Sequence, residues 1–176
     1  MPNHTANTLT VKTDDKKLLG TIKNTLASKN DNGEIQAIDF NKIIPMPEEL
    51  IGTSSPPQIV GTEQEKERII KENKERFQGQ SFSIGRPITQ VESVKLNEKY
   101  GADNWYDWAV ENWDTKWNAY SVGKWKGNRL YFETAWAPPL KVIQKLSSMF
   151  PEATFSIHYV DEGGAFDNTS TFVGGY

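Results

Sequence analysis

The sequence has no cysteine, only two histidines and no long apolar run, and each of these excludes a class of protein. Without cysteine, the 176-residue chain cannot form disulfides, thiolate zinc sites, iron–sulfur clusters or cysteine nucleophiles. No stretch approaches the ~20 apolar residues of a membrane helix, and the polar first residues lack the apolar core of a signal peptide. We therefore expect a soluble, cytoplasmic protein that does not associate with membranes.

Motifs that carry chemistry are also absent. The sequence contains neither the glycine patterns of phosphate-binding loops nor that of a nucleophile elbow. Its histidines, His4 and His158, fall near the start of the chain and on the polar phase of a predicted strand. Acidic neighbours such as Asp161 and Glu162 do not by themselves converge on one ion. We predict no catalytic, cofactor-binding or metal-binding residue, no cofactor, and a protein that is not an enzyme.

The order of predicted elements indicates an α+β fold. Residues 8–13 alternate as a strand does, residues 16–29 have helical spacing, and residues 34–40 read as a second strand. This pattern predicts a β–α–β start with parallel strands. Two further predicted helices, 62–79 and 89–101, fall in or near a loop and helical insert at about 52–103.

The glycines Gly79 and Gly101 are predicted to end these two helices. Mixed charge on the first of them is typical of a solvated surface. Later in the chain, a helix at 140–150 and a strand at 153–160 are predicted. The remaining residues, 161–176, read as a loop or an irregular edge strand.

All six tryptophans lie between positions 105 and 136, and spacing assigns them to the core. Residues 104–113 place three of them on one helical face. Residues 116–125 and 129–136 flank Gly127-Asn128, which suits a two-residue hairpin turn with positive φ. In that register the position numbers of opposed residues sum to 255, and three more tryptophans point inward. The predicted core comprises Trp105, Trp108, Trp113, Trp117, Trp125, Phe132 and Trp136.

The same hairpin register predicts which side chains remain outside. They include two tyrosines, and the last strand adds a histidine to the same side of the sheet. This candidate surface for a protein or nucleic-acid partner comprises Tyr120, Lys124, Arg129, Tyr131, Glu133 and His158. The strand–strand–helix–strand order of residues 116–160 matches part of a ferredoxin-like unit. We expect one domain over 1–176, with an antiparallel or mixed sheet and helices packed on one face.

Four segments in matching order resemble the YubB-type ferredoxin-like domain family of phage- and plasmid-borne proteins. They are FNKIIPMPEEL (40–50), ENWDTKWNAY (111–120), TAWAPP (134–139) and HYVDEGGAF (158–166). The chain departs from the family pattern at Asp114, where members typically have glycine. The resemblance implies a ferredoxin-like fold and an origin in a mobile genetic element, so the protein would act in the cytoplasm of a host cell. It implies no catalytic residue.

Two functions of different classes remain after these exclusions. We prefer a non-enzymatic accessory protein that binds a host protein, such as a component of an antiviral defence system. The alternative is single-stranded nucleic acid bound on the open sheet face, where aromatic residues can stack on bases. The net charge of −3 gives that alternative no general positive field. Formation of homo-oligomers is left open.

Overall fold

The computed structural model describes residues 3–29, 32–76 and 85–176. The chain divides into two units: Met1–Pro45 with Val110–Tyr176, here called the sheet unit, and Met46–Ala109, the helical unit. The strands are β1 His4–Lys12, β2 Ser28–Lys29, β3 Ile35–Gln36, β4 Ile59–Val60, β5 Ile88–Thr89, β6 Arg129–Ala135, β7 Thr154–Asp161 and β8 Asp167–Val173. The helices are α1 Lys16–Leu26, α2 Glu63–Arg76, α3 Gln90–Tyr100, α4 Trp105–Trp113 and α5 Leu140–Met149, with 3₁₀ turns at Phe40–Lys42 and Glu48–Leu50.

The sheet unit is built on four antiparallel strands in the order β6-β1-β7-β8. Thr8 of β1 lies opposite Tyr131 of β6 on one side and His158 of β7 on the other. Along the free edge of β6, the segment 117–126 pairs irregularly through bridges from Tyr120 to Glu133 and from Lys126 to Arg129. An α+β fold with an antiparallel or mixed sheet was predicted, and the observed strand order positions the candidate site.

The two faces of the sheet differ because side chains alternate along each strand. One face is covered, and its apolar side chains are fully buried together with those of α1 and α5. They include Leu9, Val11, Leu130, Phe132, Phe155, Ile157, Ile22, Leu26, Val142, Ile143 and Leu146. The other face, here called the open face, carries small polar residues such as Thr8 and Thr10 on its central strand.

The predicted β–α–β start is wrong in its second strand. Instead of a strand over 34–40 parallel to β1, the two-residue β3 pairs antiparallel with β2 directly after α1. The chain then turns into a 3₁₀ helix at Phe40, because the Asp39 carboxylate accepts the Asn41 N–H at 2.9 Å and caps that turn. Phe40 is fully buried and packs edge-on against Trp113 and Phe132.

The hairpin prediction is right at the turn and wrong beyond it. Gly127 has φ +61°, and Lys126 and Arg129 exchange two backbone hydrogen bonds. However, Tyr120 pairs with Glu133 rather than Ala135, so the first arm contains two more residues than the second. Ser121 takes a φ of +48°, which breaks the regular alternation on which the predicted register depends.

The shifted register changes where the tryptophans lie. Trp117 and Trp136, predicted to face the core, are 39% and 42% exposed. Trp125 is partly buried beneath the Lys23 ammonium of α1, on the covered side of the sheet. Trp136 turns outward because its φ is +69°, a left-handed conformation that departs from the strand. Of the other predicted core residues, Trp108, Trp113 and Phe132 are buried and Trp105 is half-buried.

The helical unit contains the predicted insert, residues 52–103. α3 begins with a capping box, in which Thr89 and Glu92 bond each other's backbone N–H groups, and it ends at Gly101 with φ +74°, as predicted. α4 is capped by the Asn104 side chain, which accepts the N–H groups of the first turn. α2 buries none of its side chains. The predicted stop of that helix, Gly79, lies outside the described residues.

The end of the chain, expected to be a loop or an irregular strand, forms the regular edge strand β8. It is followed by a tight turn in which Val173 and Tyr176 exchange two backbone hydrogen bonds of 2.9 and 3.1 Å. Gly175, at φ +91°, donates its N–H to Ser147 of α5. This turn needs glycine for two reasons. A side chain at position 175 would come too close to Ser148, and residues with a side chain rarely adopt this φ.

Candidate partner-binding surface

Two exposed tryptophans enclose a lysine at one end of β6. The Lys116 ammonium lies 4.5 Å from the ring centre of Trp117 and 5.0 Å from that of Trp136. Both distances are within the range of cation–π attraction. We call these three residues the tryptophan pair. About two-fifths of each indole is open to solvent, which is unusual for the largest apolar side chain.

The backbone that carries Lys116 and Trp117 is fixed on both sides. The buried Thr115 hydroxyl donates to the Ala135 carbonyl at 2.9 Å. Asn118 accepts the Phe40 N–H at 2.9 Å and donates to the Asp39 carboxylate at 2.7 Å. The exposed residues therefore lie between two anchored neighbours, so the loop is already ordered before any partner arrives.

Asp114 starts this loop with φ +64°. Aspartate tolerates the left-handed region better than most residues. Its carboxylate accepts the Lys141 N–H at 2.9 Å, in the first turn of α5, and lies 3.4 Å from the Lys141 ammonium. That helix follows Pro139, which makes no side-chain cap. Asp114 thus provides the cap for α5, which accounts for an aspartate at this position.

Trp136 is held in an unfavourable conformation by the strand that precedes it. Its N–H donates to the Asn3 carbonyl at 2.9 Å, and the Thr134 hydroxyl donates to the Ala137 carbonyl at 2.7 Å. A non-glycine residue at positive φ costs of the order of 1–3 kcal/mol and persists only where its surroundings impose it. Such strain is concentrated at functional positions, and here it turns an indole toward solvent.

Aromatic side chains extend this surface onto the open face of the sheet. Trp117 packs edge-on against Tyr120, whose hydroxyl lies 2.7 Å from His4 Nδ1 and donates to the Thr134 carbonyl. Burial raises the pKa of Tyr120, and the nearby carboxylates of Glu133 and Glu162 raise it further. The phenol therefore remains neutral at physiological pH and acts as a hydrogen-bonding, half-buried ring.

A basic groove lies at the opposite end of β6, next to the hairpin turn. It measures about 700 Å³ and is lined by Thr8, Gly123, Lys124, Lys126, Asn128, Arg129 and Tyr131. We use the name basic groove for this set. Tyr131 is 43% exposed and donates its hydroxyl to Glu133 at 2.8 Å. Partial burial and this hydrogen bond raise the pKa of Tyr131, so the ring stays uncharged.

The predicted surface residues share the open face but do not form one cluster. Lys124, Arg129 and Tyr131 line the basic groove, and Glu133 joins it to Tyr120 through a hydrogen bond and a strand pair. His158 lies beyond β1, on β7, where its Nε2 is 2.8 Å from the Asp167 carboxylate. It contributes no contact to the groove.

Sequence reasoning missed several residues of this surface: it left out Thr8, Lys116, Gly123, Lys126 and Asn128, and it placed Trp117 and Trp136 in the core. Lys126 and Asn128 belong to the hairpin turn, and the prediction used them only to set the register. Lys116 was not among the predicted surface residues, although its ammonium lies over two indoles. The signal in the sequence was the spacing Trp-Asp-Thr-Lys-Trp at residues 113–117. Without the register, that spacing could not show that the rings are exposed.

Within residues 3–29, 32–76 and 85–176, no three histidine, aspartate or glutamate side chains come together in a way that could hold a metal ion. In the same part of the chain, no helix has both the length and the apolar composition needed to cross a membrane.

Comparison with known proteins identifies the architecture. Residues 112–169 match a family model described as the ferredoxin-like domain in Api92-like protein. The crystal structure of protein api92 from Yersinia pseudotuberculosis is similar, with a TM-score of 0.53 over 99% of this chain and 95% of that chain, at 8% sequence identity. No curated protein matches the chain.

These matches show a ferredoxin-like α+β fold, as predicted. At 8% identity the likeness to the api92 structure shows the fold alone. The matched segment contains Trp117, Trp136 and every residue of the basic groove except Thr8. The more specific YubB-type relationship and the mobile-element origin remain predictions.

Proposed function

We propose that the protein is a non-enzymatic accessory protein that binds a protein partner through the tryptophan pair. The observation that carries this proposal is the exposure of two indoles on backbone that is held rigid. Tryptophan, tyrosine and arginine dominate the energetic centres of protein interfaces. All three residue types are present on this surface, as Trp117, Tyr131 and Arg129.

Rigidity supports this proposal as much as composition does. Ordering a loop and its side chains on binding usually costs part of the interaction energy. Thr115 and Asn118 already fix the loop, and Lys116 restrains both indoles. When a partner covers the two rings, the loop and side chains of this protein would therefore lose little conformational entropy.

The resemblance to phage- and plasmid-borne proteins supports a partner from the host cell, such as a component of an antiviral defence system. Single-stranded nucleic acid is the second candidate. It is favoured by the cationic side chains around the partly exposed Tyr131 ring in the basic groove. On the central strand, however, the open face offers Thr8 and Thr10 where a base-stacking module would place further aromatic rings.

The test is a quantitative affinity capture from a lysate of the cell that carries the gene. The baits are the unchanged protein, Trp117→Ala/Trp136→Gly, and the control Ile35→Ala/Tyr176→Ala. Glycine suits the positive φ at position 136, so the variant keeps its fold, which circular dichroism would verify. The control also removes two exposed apolar side chains, which are 75% and 92% accessible.

We expect a partner that the unchanged protein and the control capture equally and that the tryptophan variant loses. With the purified partner, each tryptophan substitution should weaken binding at least about 30-fold, the effect of a strong interface residue. Equal capture by all three baits would exclude the tryptophan pair as the docking site. Micromolar, salt-sensitive binding of labelled single-stranded RNA or DNA that is lost in Tyr120→Ala/Tyr131→Ala would favour the second candidate instead.

A further inference from the structure

We infer that the basic groove is a separate anion subsite, which receives an acidic, extended segment of the protein partner. This inference rests on the proposed function, because it specifies the chemistry of the partner. It concerns different residues from the tryptophan pair, so that each can be tested alone.

The charges that line the groove are not neutralised by the protein. Within the part of the chain that the structure describes, neither Lys124, Lys126 nor Arg129 forms an ion pair with a carboxylate. All three are exposed, and they come from both arms of one hairpin. Two backbone hydrogen bonds between Lys126 and Arg129 fix the distance between the arms. Three cations held on a rigid turn create a local positive field in a sheet unit that has no net charge.

Hydrogen-bonding groups and an apolar surface accompany these cations. Thr8 contributes to the groove from β1, and the Tyr131 ring forms part of its wall. Carboxylates bind well where a guanidinium or ammonium is joined by hydroxyl donors, and the aliphatic part of an acidic side chain can pack on the ring. The groove thus fits short carboxylate side chains carried on an extended backbone.

The carboxylates that border the groove favour a peptide over a nucleic acid. Glu133 bonds Tyr131, and both Glu133 and Glu162 lie close enough to Tyr120 to raise the pKa of its phenol. A chain of phosphates leaving the groove toward the tryptophan pair would pass these negative charges. A peptide can place acidic residues in the groove and apolar ones over Trp117 and Trp136.

The distance between the two sites suits such a segment. From Arg129 to Ala135, the residue before Trp136, β6 covers six residue steps, which is roughly 20 Å at the rise of an extended chain. A peptide of about seven residues running beside β6 would therefore reach both.

The test uses the full chain and fluorescein-labelled hexaglutamate, followed by fluorescence anisotropy at 50 and 300 mM NaCl. Labelled hexaglutamine and hexathymidylate are the comparison probes. The groove variant is Lys124→Gln/Lys126→Gln/Arg129→Gln. Its matched control, Lys16→Gln/Lys17→Gln/Lys145→Gln, removes the same charge from exposed positions on α1 and α5.

We expect hexaglutamate to bind and hexaglutamine not to bind, with affinity falling at the higher salt concentration. The groove variant should lose at least tenfold in affinity, whereas the control and Trp117→Ala/Trp136→Gly should change it less than about twofold. Equal losses in the groove variant and its charge-matched control would overturn the inference, since net charge alone would then explain binding. Tighter binding of hexathymidylate that depends on Tyr131 would also overturn it, in favour of nucleic acid.

Because hexaglutamate has no apolar side chain for the tryptophan pair, its binding reports on the basic groove alone. Loss of partner capture in the tryptophan variant reports on the proposed function alone. The two ideas can therefore fail independently.

Discussion

In the sheet unit, α1 and α5 both bury apolar side chains, whereas in the helical unit α2 buries none. In the sheet unit, residues such as Phe132 and Phe155 are inaccessible to solvent. In the helical unit, Leu50 and Ile88 are buried, but α2 buries none of its side chains, and Lys66 joins α2 to Glu92 of α3 at 2.7 Å.

Charge follows the same division. The sheet unit has twelve basic and twelve acidic residues, and the helical unit has eight basic and eleven acidic, so the whole net charge of −3 belongs to the latter. The net negative charge of the whole chain is therefore a poor guide to the charge of the candidate binding surface. The part of the chain that carries the candidate surface is neutral and can concentrate positive charge in one groove.

The largest expected effect, on the free energy of unfolding, tests the difference in core packing between the two units. Phe132→Ala should lower the free energy of unfolding by about 3–5 kcal/mol, because it removes a fully buried ring between Phe40 and the sheet. The matched change in α2, Ile70→Ala, should cost less than about 0.5 kcal/mol, since Ile70 is 38% exposed. Urea unfolding followed by circular dichroism would measure both. A similar cost for the two substitutions would contradict the difference in core packing.

A smaller effect is expected from the cap of α3. Thr89→Ala should destabilise that helix by about 1 kcal/mol, because the Glu92 N–H loses its acceptor. Thr89→Ser keeps a hydroxyl and should retain most of the stability. Hydrogen exchange of the α3 amides would show the change. Uniform exchange in all three proteins would mean that the cap does not stabilise the helical unit.

The smallest effect concerns pH and again separates the units. Burial opposes ionisation of Glu92, but its bonds to Lys66 and to the Thr89 N–H, with Arg86 nearby, hold its pKa below the ordinary value of 4.5. A carboxyl group with a lowered pKa in the folded state stabilises the fold above its unfolded pKa, and this contribution disappears as the pH falls. The helical unit should therefore lose stability below about pH 4.5.

Urea unfolding at pH 7 and at pH 3.5 would measure this loss, with Glu92→Gln as the comparison. The substituted protein should be less stable at pH 7 and should lose less on acidification. An unchanged pH dependence in Glu92→Gln would show that this carboxyl group is not responsible.

Local signals in the sequence predicted much of the fold. Gly101 identified the end of α3, and the Gly127-Asn128 turn was placed correctly. These features depend on residues close in sequence. The prediction of a second strand was wrong because Asp39 caps a 3₁₀ turn that directs Phe40 into the core. There Phe40 packs against Trp113, a contact between residues far apart in sequence.

The candidate site was less predictable, because it depends on the register beyond the turn. The first arm gains two residues between Lys126 and Tyr120, a stretch that includes Ser121 at positive φ, and a positive φ at Trp136 turns an indole outward. Neither serine nor tryptophan favours that conformation, so no residue preference indicated it. Lys124, Arg129 and Tyr131 were placed on the open face correctly because they lie close to the turn.

The turn that joins Val173 to Tyr176 has a consequence for aggregation. The outer edge of a sheet is where another chain can add a strand, and proteins avoid this by closing or charging that edge. Here the N–H and C=O groups of Val173 already bond Tyr176, and Asp167 places a charge at the other end of β8. An incoming strand would find only the residues between them, 168–172, with free edge groups. The turn at one end of β8 and the charge at the other thus limit where the edge of the sheet can accept a further strand.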